Sequence, residues 1–258
     1  MVLHLAVNIF DRNPGLQFLA RWAHVVVGVC WIGLLFYFNF VQVPSFAKFE
    51  AATRNEAIDK LASRALWWFR WAAVFTVVTG LLILLAETDV KGNADLFSST
   101  YWKSAGGTSI ATGILFAIVM FLNVWGVIWR NQKVVIANAR NVISGGQADP
   151  AAADAGRRAA LASRLNTIFT FPMLLFMVGT GNFFTNYSHA ANGALNHKPI
   201  YWIITVVIVA LFEVNALGII GGRAVGNITN WIFEDHWRAI GTGVVLAGVW
   251  YALWQIIF

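Results

Sequence analysis

Few residues in this sequence can do chemistry, and most of them stand among apolar neighbours. Glu213 is the carboxylate set deepest in such a run, Ile200 to Ile220. A lone carboxylate there must take up a proton or find a cation. It is therefore a candidate proton relay, against the plainer role of a hydrogen bond between helices. His24 lies in Arg21-Trp22-Ala23-His24-Val25-Val26-Val27-Gly28-Val29-Cys30-Trp31-Ile32-Gly33. At helical spacing His24 and Trp31 share a face, and Gly28 and Gly33 admit a close neighbour. A neutral imidazole in that setting suits an axial ligand of haem b or an aromatic ligand, and also suits simple packing. Cations and amides form a third set: Arg70, Asn123, Arg130, Asn131, Gln132, Arg164 and Asn166. Gathered at one mouth of a bundle they would hold an anionic or amide-rich planar ring by charge-assisted hydrogen bonds. Taken singly, Arg130, Lys133 and Arg164 are anchors at a charged membrane face.

Other chemistry is thinly represented. Cys30 is the single cysteine, so an internal disulfide, a c-type haem attachment and a cysteine zinc cluster are excluded. His4, His189, His197 and His236 fall in termini or connections, and the eight-residue spacing of His189 and His197 is weak for a metal site. Trp22, Trp67, Trp129, Trp202 and Trp237 fall at the ends of apolar runs, as an aromatic belt requires. Pro172 reads as a helix kink, and Gly218 with Gly222 as a small-residue packing pair.

The elements that must position these residues follow from composition. With 59% hydrophobic and only 12% charged residues, the chain is too apolar for a soluble domain, where roughly a quarter are charged. Runs long enough to cross about 30 Å of hydrocarbon, about 20 residues each, occur six times: Trp22–Phe40, Trp67–Ala86, Thr112–Trp129, Ile168–Phe184, Ile200–Ile220 and Ile240–Phe258. The expected fold is all-α, a polytopic bundle of six transmembrane helices forming one domain over residues 1–258. The segment Met1 to Arg21 lacks the order of a signal peptide, so the first membrane helix is expected to be retained. Lys48–Arg64 and Ala151–Arg164 read as amphipathic helical extensions at the membrane surface. Glu87–Gly107 and Ser188–Pro199 read as loops.

Charge sets the expected orientation. Twelve cations (Lys48, Arg54, Lys60, Arg64, Arg130, Lys133, Arg140, Arg157, Arg158, Arg164, Arg223, Arg238) follow the first, third and fifth runs, and five (Arg12, Arg21, Lys91, Lys103, Lys198) fall on the other side. Cationic connections stay cytoplasmic, which places both termini in the periplasm and the chain in the cytoplasmic (inner) membrane. The net charge of +6 is accounted for by loops beside anionic lipid and requires no nucleic acid.

Several segments taken together resemble the membrane domain of cytochrome c urate oxidases, or urate hydroxylases. They are Asn123-Val124-Trp125-Gly126-Val127-Ile128-Trp129-Arg130-Asn131-Gln132-Lys133, Ser163-Arg164-Leu165-Asn166-Thr167 and Pro172-Met173-Leu174-Leu175-Phe176-Met177. Arg21-Trp22-x-His24 with Gly28 and Trp31-Ile32-Gly33 resembles that family's opening helix, and Trp68-Phe69-Arg70-Trp71 its W-F-K-W segment. The resemblance runs from Arg21 to Asn182. It implies urate oxidation in the membrane, with electrons passed to a cytochrome c that the family carries as a C-terminal fusion. Here that acceptor is expected to be a separate protein. The family's histidine before W-F-K-W and the acid after it are replaced by Trp67 and Ala72, which removes groups suited to acid-base work on a purine.

Three functions remain open from the sequence. The first is a non-catalytic or electron-transfer-associated subunit of a larger membrane complex, with other membrane subunits and the lipid bilayer as partners. The second is an oxidoreductase acting on urate or a similar ring through Arg70, Asn123, Arg164 and Asn166. The third is a haem-b carrier with His24 as ligand. The departures from the family pattern favour the first.

Overall fold

The computed structural model describes residues 15–87, 94–184 and 198–258; His4, His189 and His197 lie outside them. Among the described residues the chain is helical, with six helices long and apolar enough to cross a membrane. We label them α1 (Gln17–Phe46), α2 (Ala51–Ala86), α3 (Ala105–Ile143), α4 (Ala151–Asn182), α5 (Lys198–Ala216) and α6 (His236–Ile257). The protein is a multi-pass membrane protein, as the composition requires.

Helix α4 is the axis of the bundle. In its most apolar window 67% of residues are buried, against 22% to 33% in the other five helices. It packs on α3 and α6, while α1 and α2 pair closely with each other. Pro172 does not interrupt α4. A proline cannot donate to the carbonyl four residues back, here that of Ile168. Gly243 of α6 comes so near that an added Cβ would lie 2.9 Å from this oxygen and 2.4 Å from the Phe171 ring. The proline therefore sits where another helix makes its closest approach.

The helices overrun the apolar stretches because their ends are amphipathic and have surfaces to dock on. Helix α3 continues past Trp129 to Ile143, turning Ile136 and Ala139 inward while Lys133 and Arg140 stay exposed. Arg140 Nε donates to Asp59 Oδ1 of α2 at 2.5 Å. On the same side of the bundle, Arg157 of α4 grips Glu234 with two bonds of 3.0 and 2.5 Å and donates from Nε to the Arg223 carbonyl at 2.9 Å. Asn230, fully buried, holds the connection before α6 by donating to the carbonyls of Gly222 and Ala224. At the opposite side Arg21 pairs with Glu87, and Lys198 Nζ donates to the Trp102 carbonyl at 3.0 Å.

Two further boundaries differ from the sequence expectation. Gly106 and Gly107 lie inside α3, whose cap is Ser104, its hydroxyl oxygen accepting from the Gly107 N–H at 3.0 Å. Helix α5 stops at Ala216, not Ile220. Gly218 then adopts φ +74 and the Ile219 N–H returns to the Val214 carbonyl, a left-handed glycine termination that residues with a Cβ resist. Gly218 and Gly222 are thus turn residues and not a helix-packing pair.

Candidate functional site

The residues singled out for chemistry separate into three places. Asn123 of α3, Asn166 of α4 and Glu213 of α5 meet at one helix crossing. Asn123 Nδ2 donates to Asn166 Oδ1 and to Glu213 Oε2, each at 3.0 Å, and Asn166 Nδ2 donates to the Met120 carbonyl at 3.0 Å. Asn166 is wholly buried and Asn123 almost so. Helix α3 widens into a π-type turn from Asn123 to Ile128, a local irregularity that tends to occur where a helix serves a special contact. Each polar group here has a protein partner, which is the condition for keeping such groups in hydrocarbon. Glu213 thus makes a hydrogen bond between helices, the plainer of its two roles read from the sequence.

Arg164, two positions before Asn166, lies within range of the negative charges of Asp235 and Glu234 but forms no salt bridge with either among the described residues. It is 7% exposed, and its Nη1 is buried with no hydrogen-bond partner. On the adjoining face of α4, Ser163 Oγ accepts from Asn39 of α1 at 2.8 Å. Arg130 is exposed, and Asn131 bonds back to the Val127 carbonyl of its own helix at 2.8 Å. The single mouth expected from the sequence is therefore divided.

Arg70 belongs to a third place. Its guanidinium carbon lies 3.7 Å from the centroid of Trp129 and 5.9 Å from that of Trp125, a cation held on aromatic faces. It opens onto a groove of about 610 Å³ between the middle of α2 and the extension of α3, lined among others by Arg64, Trp67, Trp68, Trp129 and Lys133. No histidine or carboxylate lines it. Trp67 and Trp129 read in the sequence as belt residues, and the groove between them comes from the packing of α2 on α3. A signal was available: Trp129, Lys133, Ile136 and Arg140 fall on one helical face, as do Arg64, Trp67 and Trp68.

His24 sits between α1 and α2. Its Nδ1 is 3.1 Å from Thr79 Oγ1, and a Cβ added at Gly80 would lie 3.2 Å from its Cε1. The ring thus fills the space that Gly80 leaves open. The other described histidine, His236, caps the opposite end of the bundle beside Phe40, so these two histidines do not form a pair of axial ligands. The geometry is that of a packed, bonded histidine and does not fit a haem placed between α1 and α2.

Residues 93–215 match a protein-family model described as urate oxidase N-terminal. The match contains Asn123, Arg130, Arg164, Asn166 and Glu213. No curated protein and no solved structure matches the chain.

Proposed function

We propose, from the likeness of residues 93–215 to the urate oxidase N-terminal family, that this protein is a subunit of a larger membrane complex. In this reading it derives from the urate oxidase membrane domain and does not turn over a purine by itself. One observation carries it: Asn123, Asn166 and Glu213 are engaged with one another at a helix crossing apart from the groove that Arg70 lines. Arg70 lines the groove, and no histidine or carboxylate stands beside it there.

A second reading is favoured by the family match together with that open groove. In it Arg70 binds urate or a similar anionic ring, and a separate cytochrome c takes the electrons. Purified protein mixed with urate and oxidised cytochrome c decides between the two. The subunit reading expects no urate-dependent cytochrome reduction above buffer, no Soret band in the visible spectrum, and stoichiometric co-migration with partner subunits in native gels of gently solubilised membranes. Turnover that is lost in Arg70→Ala, in protein that remains folded, would overturn it.

We also place the chain in the cytoplasmic membrane with both termini periplasmic. Six crossings put the twelve cations named above on one side, and that side faces the cytoplasm by the positive-inside tendency. A periplasm-dependent reporter fused after Phe258 is expected to be active, and a cytoplasm-dependent one silent. The reverse result would invert the assignment.

A further inference from the structure

We propose that the groove between α2 and α3 is a binding site for one anionic phospholipid. Its phosphate is held by Arg64, Arg70 and Lys133, and an acyl chain lies along α2. This rests on neither reading of function above. Three observations converge on it.

The groove has cations without counter-ions. Among the described residues Arg64, Arg70 and Lys133 make no salt bridge, whereas Arg140 at the groove's edge is paired with Asp59. Like charges gathered without acids repel one another, and an anion relieves that repulsion. The guanidinium also awaits an acceptor. Arg70 stacks on Trp129 and makes no hydrogen bond among the described residues, its buried Nε included. A phosphate oxygen in the groove meets the outer guanidinium N–H groups with charge-assisted bonds.

The third observation distinguishes a lipid from a soluble anion. From the groove an exposed apolar stripe runs down α2 through Trp67, Trp71, Phe75, Val78 and Leu82, all 36% to 52% exposed. Their spacing of four, four, three and four keeps them on one helical face. The first three rings are in sequence, with centroids 6.3 Å apart at each step. A free phosphate or a purine would use the cationic end alone. A molecule with a phosphate at one end and a hydrocarbon chain covers both, and the tryptophans lie at the level where headgroup meets chain.

The test uses the full chain, exchanged into neutral detergent and titrated separately with phosphatidylglycerol, phosphatidylcholine, glycerol phosphate and inorganic phosphate. Bound lipid is counted by native mass spectrometry and protection is read as a thermal shift. One phosphatidylglycerol is expected to bind at least about tenfold more tightly than phosphatidylcholine, with the soluble phosphates giving no comparable protection. Arg70→Gln combined with Lys133→Gln should erase the preference. Arg158→Gln, at a cation paired with Asp154 on α4, should leave it intact. If the double variant fails to fold, Arg64→Gln with Lys133→Gln, both at exposed positions, takes its place. Equal binding of the two lipids, or a preference that survives the glutamine variants, would overturn the site. Protection by soluble phosphate equal to that by lipid would reassign it to a soluble anion and overturn the lipid.

Discussion

Gly107→Ala is expected to destabilise the protein by about 3 kcal/mol, the upper part of the range for forcing volume into a closed contact. A Cβ at Gly107 would stand 2.0 Å from the Tyr101 carbonyl oxygen, 2.7 Å from its carbon and 2.9 Å from Trp102 Cα. All three are backbone atoms, so no side chain can rotate away. The short helix Ser99–Lys103 would have to move as a unit. Moving it disturbs the Ser104 cap, whose hydroxyl accepts from the Gly107 N–H, and caps contribute about 1 kcal/mol. It also pulls on the Trp102 carbonyl that receives Lys198 at the start of α5. Gly126→Ala serves as the control. Nothing lies within 4 Å of its added Cβ, and alanine is the better helix former by about 1 kcal/mol. Melting followed by size-exclusion chromatography in detergent should separate the two variants, and a Gly107→Ala protein that melts with the wild type would refute the close approach.

Asn166→Leu should cost about 2 kcal/mol, since it strips a partner from Asn123 and from the Met120 carbonyl at a site without solvent. Measured hydrogen bonds between membrane helices average about 0.6 and reach about 1.7 kcal/mol, so the effect depends on two being lost together. Adding Asn123→Leu does not repair it, because Glu213 then loses the Asn123 amide that donates to it. Adding Glu213→Leu as well removes the last polar side chain, and the Met120 carbonyl keeps the Asn123 N–H of its own helix, so stability should return to within about 1 kcal/mol of wild type. Unfolding curves of the single, double and triple variants give the comparison. A single variant within about 0.5 kcal/mol of wild type would show that the crossing is not closed in the way described.

Hydrophobic content and run length alone determined that the chain is a membrane bundle, and how many helices it has. Burying apolar surface in lipid requires only enough consecutive apolar residues, and a spanning helix satisfies its own backbone bonds. The likelihood that Glu213 would be partnered was legible for the same reason: a carboxylate in hydrocarbon demands a neighbour whatever the fold. Which neighbour it finds was not. Asn123 and Glu213 are 90 positions apart, and no local pattern links them. Helix ends were misplaced where a polar stretch still had a surface to dock on, as at Trp129–Ile143, or where a glycine reversed the chain, as at Gly218. Arg70, Asn123 and Arg164 all read alike in sequence, as polar groups near one membrane face. The rotation of each helix about its axis, set by packing on α4 and by close approaches such as Gly243 on Ile168, sent Asn123 to a buried crossing and Arg164 to a separate buried place on α4. Arg70 alone of the three was turned to an open groove between two tryptophan-rich faces.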